Sequence, residues 1–94
     1  MTKPTLEVFA KATREALANV DVPQAELQLL DAKGPPFNLY DDGGVDSLDM
    51  LDIAFYIEKD LGIKLEIERL MHGDDPMTLQ NLFNAIRQNE NPSA

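Results

Sequence analysis

The sequence contains no cysteine, no tryptophan and only one histidine, His72. Those absences exclude disulfide stapling, Cys/His zinc sites and any thiol nucleophile supplied by the chain itself. The fold must therefore hold by packing alone. No uninterrupted apolar run reaches the length of a bilayer span, and no basic amino-terminal segment leads into a signal-like apolar stretch. The expectation is a cytoplasmic protein without membrane insertion. Basic residues are scarce as well: eight Lys and Arg stand against seventeen Asp and Glu, a formal charge of −9. Such a surface repels nucleic acid phosphates and anionic lipid, so the partners it favours are basic proteins or cations. Solubility alone is the plainer account of acidity, and the position of the charges has to decide between the two.

What is present suffices for one small core: 94 residues, 44% of them hydrophobic, read as a single domain over 1–94 and as a monomer. Over 6–20, Leu6, Phe9, Ala16, Leu17 and Val20 recur at three- and four-residue spacing, which predicts an amphipathic helix capped by Thr2 or Thr5. The stretch 21–45 holds Pro23, Gly34, Pro35, Pro36, Gly43 and Gly44 and reads as a long loop, with room for a short helical turn over 25–30. Its Leu27, Leu29, Leu30, Phe37, Leu39 and Tyr40 are too apolar for a free linker, and several of them should pin it to the core. A second helix over 46–61 ends at Gly62. Asp46 can cap it, with Asp49 as the acidic partner of a capping box. Ile63, Leu65 and Ile67 alternate like a strand, but a lone strand has nothing to pair with, so an extended link into a short helix over 68–71 is expected. Thr78 then caps a last helix with Leu79, Leu82, Phe83 and Ile86 on one stripe, before a polar tail over 88–94. The fold class is all-α: a small four-helix bundle of three main helices and a short third one.

The second helix carries more apolar residues than a bundle needs. At roughly 100° per residue, Met50, Ile53, Ala54, Ile57 and Leu61 share one arc and form a sufficient inward face. Leu48, Leu51 and Phe55 fall outside it, on the flank adjoining Ser47. Asp52, Asp49 and Asp60 lie beyond that flank, and Glu58 lies close to the direction of Ser47 itself. Either the loop folds over these apolar residues and buries them, or they form an exposed docking surface inside an acidic rim. A mixture, with Leu48 buried and the other two presented, is a third arrangement.

Ser47 has no base to take its proton and no donors to hold an oxyanion, and the neighbouring carboxylates oppose an alkoxide. His72 lies in a distant turn, and Gly-x-Ser-x-Gly is absent. The chain is therefore not expected to be an enzyme. Locally, Ser47 is either an ordinary helix-start residue or an acceptor on which another protein acts, and a phosphate ester would be tolerated at the positive end of a helix dipole. A calcium loop beginning at Asp41 fits poorly, with Gly43 and Val45 at ligand positions, Asp46 where glycine is needed and Asp52 in place of the bidentate glutamate.

The run Gly44-Val45-Asp46-Ser47-Leu48-Asp49-Met50 resembles the D-S-L modification site of acyl carrier proteins. The similarity continues along the helix into Asp60-Leu61-Gly62-Ile63-Lys64-Leu65 and more loosely to the helix that starts at Thr78. It is closer to stand-alone, type II carriers than to peptidyl carrier domains. The resemblance implies a four-helix carrier with 4′-phosphopantetheine esterified to Ser47 by a phosphopantetheinyl transferase, its thiol holding an acyl or aminoacyl group as a thioester. The sulfur missing from the chain would then be imported. By carry-over, Asp46, Asp49, Leu51, Asp52, Phe55 and Glu58 would face partners, namely ligases, synthases or transferases with basic docking patches. Gly43, where leucine is common, leaves the anchoring of the loop looser or moves it to Leu39 and Tyr40; the first loop, with Gly34-Pro35-Pro36, is longer than usual, and Tyr56 stands where a small residue is common. These departures point to a specialised carrier. The competing function is a small acidic helical adaptor without a prosthetic group, which the same flank could serve.

Overall fold

The computed structural model describes residues 3–87; Thr2 and the tail over 88–94 lie outside the described residues. Helix α1 spans Leu6–Asn19 and begins where the Thr5 side chain accepts a hydrogen bond from the Val8 N–H. Its buried face consists of Phe9, Ala12, Ala16 and Leu17, joined by Thr13. Thr13 is admitted to the core because its hydroxyl donates to the Phe9 carbonyl at 2.8 Å, so no polar group is stranded.

The stretch read as a long loop contains a helix of its own. Helix α2, Gln24–Lys33, starts directly after Pro23 and ends at Gly34. Two residues, Leu27 and Leu30, tie it to the core. Its apolar periodicity is weak, and only a turn over 25–30 was legible; burial of those two leucines against neighbouring elements extends it to ten residues.

From Gly34 to Val45 the chain is irregular but firmly held. Phe37 and Leu39 are both completely buried. Their backbones bond to a distant part of the chain: Leu39 N–H donates to the Met77 carbonyl and Leu79 N–H to the Phe37 carbonyl, each at 2.8 Å. Asp42 stitches the turn, accepting from the Asn38 N–H at 2.9 Å and from Lys33 Nζ at 2.8 Å.

Helix α3, Ser47–Leu61, packs chiefly on α1. Met50, Ile53, Ala54 and Ile57 are its buried face, as the angular pattern required, with Leu61 half-buried at the end of the same arc. The link after Gly62 is a short strand, β1 (Lys64–Leu65). It leads into α4, Ile67–His72, and α5, Leu79–Asn84, capped by Thr78. The expected continuation of the last helix through Ile86 does not occur. Ile86 and Arg87 form β2, antiparallel to β1, with Leu65 opposite Ile86. The strand-like alternation around Leu65 therefore does find a partner, and both facing residues are buried.

The architecture is mostly helical, in keeping with an all-α class, but with five helices and a two-stranded clip among the described residues instead of four helices and a long loop.

Candidate functional site

Asp46 fixes the start of α3. Its carboxylate accepts from the Asp49 N–H at 2.8 Å and its backbone is extended, the geometry of an N-cap. Ser47 is consequently the first helical residue. It is exposed, and the N–H groups of Ser47 and Leu48 have no protein acceptor among the described residues. The positive end of a helix of fifteen residues, roughly 22 Å long, is thus open beside a primary hydroxyl.

The approach to Ser47 is set by the two preceding glycines. A side chain on Gly43 would place its Cβ 2.7 Å from the Leu39 carbonyl oxygen and 3.2 Å from the Phe37 ring, so only glycine lets the chain pass there. Gly44 has a φ of 72°, in the left-handed region. Together they deliver Val45 to the core, buried, and Asp46 and Ser47 to the surface within two residues. Anchoring through Leu39 is realised; Tyr40 is only half-buried.

The flank beside Ser47 is uncovered. Leu48 is 73% exposed, Leu51 45% and Phe55 61%. The segment before α3 buries its own apolar residues against Met77 and Leu79 instead of folding over this flank, so neither full coverage nor burial of Leu48 alone is correct. Asp46 and Asp52 are exposed and Asp49 half-exposed. Among the described residues none of these three carboxylates is in an ion pair.

Glu58 differs from the rest of the set. Its Oε2 accepts from the Leu65 N–H at 2.8 Å, which ties the last turns of α3 to β1. On the opposite edge of the flank, α3 and the end of α1 enclose an open cleft of about 690 Å³. Asp49, Asp52, Tyr56 and Asp60 line one side and Val20 and Asp21 the other. The contribution from α1 was not legible, because the sequence places 20 and 21 far from α3 and only tertiary packing brings them together. Lys59 also lines the cleft, with Nζ 5.4 Å from the centre of the Phe55 ring. Its angular position between Phe55 and Asp52 on a helical projection is the signal that could have found it.

No helix among the described residues is long and apolar enough to cross a membrane. Likewise, the described residues contain no group of three or more His, Asp and Glu side chains arranged to hold a metal ion. The one histidine, His72, is the last residue of α4 and does not lie on the helix that carries Ser47.

The described chain is thus a helical domain with a capped, exposed serine beside exposed apolar and acidic side chains. The chain is 39% identical over 57 residues to the acyl carrier protein AcpXL of Mesorhizobium japonicum, covering 61% of this chain and 60% of that protein. It is 40% identical over 58 residues to AcpXL of Rhizobium meliloti, covering 62% and 60%. With AcpXL of Rhizobium etli it shares 51% identity over 35 residues, 37% of this chain and 38% of that one. The chain is thus similar to these acyl carrier proteins and spans about 60% of the length of the first two. No protein-family model and no solved structure matches it.

Proposed function

We propose that the chain is a carrier whose Ser47 Oγ bears 4′-phosphopantetheine and which docks to acyl- or aminoacyl-handling enzymes through α3. The single observation that carries this reading is the exposure of Ser47 at an open helix amino terminus beside exposed Leu48, Leu51 and Phe55. The residues present fit the group. Uncommitted N–H groups at Ser47 and Leu48 favour the single negative charge of a phosphodiester there. When bound, the arm supplies the thiol on which a cargo is held as a thioester.

Attachment requires a phosphopantetheinyl transferase and coenzyme A. Ser47 Oγ forms the new O–P bond as the pyrophosphate bond of coenzyme A breaks, adenosine bisphosphate departs, and the hydroxyl proton passes to a base on the transferase. This chain contributes position and charge. Asp46 holds the helix start, Gly43 and Gly44 bring Ser47 clear of the core, and Asp49 and Asp52 draw a basic partner surface onto Leu51 and Phe55. Glu58, already bonded to Leu65, serves the partner face by keeping the end of α3 in place.

The test is intact mass after incubation with coenzyme A and a transferase of broad specificity. Gain of one phosphopantetheine in the native chain, with none in Ser47→Ala, is the expected result. A folded protein that gains nothing points to the adaptor function instead. Charge reversal at Asp49 or Asp52 should slow the gain by several-fold at low salt and by less at high salt, with the melting temperature little changed; an unaltered rate removes the acidic rim from the docking surface.

A further inference from the structure

We infer that Asn38 is a positioning residue for modification of Ser47: it closes the turn that leads into α3, and so governs the rate of transfer onto the serine hydroxyl and not the affinity for the modifying enzyme. This role rests on the carrier reading above. It places a determinant of that reaction off the docking helix, in a residue that touches neither the serine nor the partner.

The backbone changes character at one point. From Asn38 to Val45 every N–H is engaged. The Asn38 N–H donates to Asp42 Oδ2 at 2.9 Å, and Asn38 Oδ1 accepts from the Tyr40 and Asp41 N–H groups, each at 2.9 Å. The Asn38 carbonyl accepts from the Asp42 N–H at 2.7 Å and from the Gly43 N–H at 3.1 Å. The remaining N–H groups, of Leu39, Gly44 and Val45, donate to the carbonyls of Met77, Tyr40 and Leu39. At Asp46 the pattern stops: the N–H groups of Asp46, Ser47 and Leu48 have no protein acceptor among the described residues. The chain is tied up to the residue before the helix cap and open from there on.

Most of that closure passes through one residue. Asn38 uses its own N–H, its carbonyl and its side chain to engage Tyr40, Asp41, Asp42 and Gly43. An asparagine oxygen has the reach to accept from N–H groups two and three residues further on, which an apolar side chain cannot do. Asn38 is itself held from outside the turn. It bridges to Thr78, between the bonds that its buried neighbours Phe37 and Leu39 make with Leu79 and Met77.

The turn needs such a closure because Gly43 and Gly44, with the widest backbone freedom, stand between it and α3. Removing Oδ1 leaves the Tyr40 and Asp41 N–H groups without their acceptor and lets the start of α3 wander. In-line attack of Ser47 Oγ on phosphorus requires a hydroxyl held in one direction, and a small misplacement costs rate. Leu51 and Phe55 lie further along α3, where the hydrogen bonds of the helix hold them, so the docking surface keeps its geometry.

The test is steady-state phosphopantetheine transfer from coenzyme A by a transferase of broad specificity, to the native chain and to Asn38→Ala, Asn38→Ser and Asn38→Asp. Asn38→Ala should lower kcat about tenfold with KM for the carrier unchanged. Aspartate keeps the acceptor, and the Asn38 Nδ2 group that it lacks has no partner among the described residues. In moderate salt Asn38→Asp should therefore restore kcat to within about twofold of native. Serine closes such turns more weakly, so Asn38→Ser should fall between, and the difference between Asp and Ser decides the matter if the Ala variant does not fold. Ile86→Val, altered at the distant β1–β2 clip, should lose melting temperature without losing kcat. Amide exchange at Tyr40 and Asp41 should quicken in Asn38→Ala and not in Asn38→Asp. One kcat shared by all folded Asn38 variants overturns the inference, as does a loss confined to KM, equal amide exchange throughout, or an equal loss of kcat in Ile86→Val. Those results leave the carrier reading standing, whereas a native chain that gains no phosphopantetheine overturns both.

Discussion

Two adjoining regions handle apolar side chains in opposite ways. The irregular segment from Gly34 to Val45 buries Phe37 and Leu39 completely, whereas the regular helix α3 leaves Leu48, Leu51 and Phe55 in solvent. Regularity and burial are thus uncoupled. The segment is closed by turn hydrogen bonds, among them the Asp42 and Gly43 N–H groups to the Asn38 carbonyl, and is fastened to the rest of the chain by side chains inserted in the core and by backbone bonds to Met77 and Leu79. Helix α3 satisfies its own backbone and already buries one full face, so its second apolar flank is surplus to folding. That surplus is what a docking partner can cover.

The contrast is broken most sharply by paired truncations. Phe37→Ala should cost about 3–5 kcal/mol of stability, the usual range for emptying a fully buried phenylalanine site. Phe55→Ala should change stability by only about 0.5 kcal/mol while slowing phosphopantetheine transfer. Urea denaturation and the transfer rate together check this, and equal stability losses would mean that Phe55 belongs to the core. A smaller effect is expected at the hinge between the two regions. Gly43→Ala pushes a methyl group against the Leu39 carbonyl and should cost about 1–3 kcal/mol. At Gly44 the space is open and only the left-handed φ resists, so Gly44→Ala should cost about 1–2 kcal/mol. Thermal melts of the two variants rank them.

The smallest effect concerns acid. Asp42 is held below the usual carboxylate value of 3.8, first by the hydrogen bond from Lys33 and then by that from the Asn38 N–H. A carboxyl whose pKa is depressed on folding contributes stability that is complete above the unfolded value and fades as pH falls through the folded one. The stability gap between the native chain and Asp42→Asn should therefore be full at neutral pH and close progressively below about 3.8. A gap that persists unchanged at pH 2 would show that the contact acts through shape and not through charge.

These regions were also unequally legible. The angular pattern of α3 gave Met50, Ile53, Ala54 and Ile57 as core, and the cap at Asp46 and the stop at Gly62 were plain in the residues. Each is a local property, set by neighbours within one or two turns. The ten-residue length of α2 was not apparent, because its stability comes from what Leu27 and Leu30 touch. The β1–β2 clip was missed for the same reason: the sixty-fifth and eighty-sixth residues pair across twenty intervening positions, and each strand alone is too short to announce itself. The exposure of Leu48, Leu51 and Phe55 could be posed as a question from the sequence, yet only the route of the preceding segment answered it.

The sequence by itself determined the helix that carries Ser47, its cap, its inward face and its acidic rim, because these follow from periodicity and short-range hydrogen bonding. Whether the second apolar flank is open, and which residues of α1 stand opposite it, was decided by tertiary structure. Burying Phe37 and Leu39 against Met77 and Leu79 draws the loop away from α3, and packing α1 on α3 brings Asp21 to the cleft; both depend on contacts between residues distant in the chain.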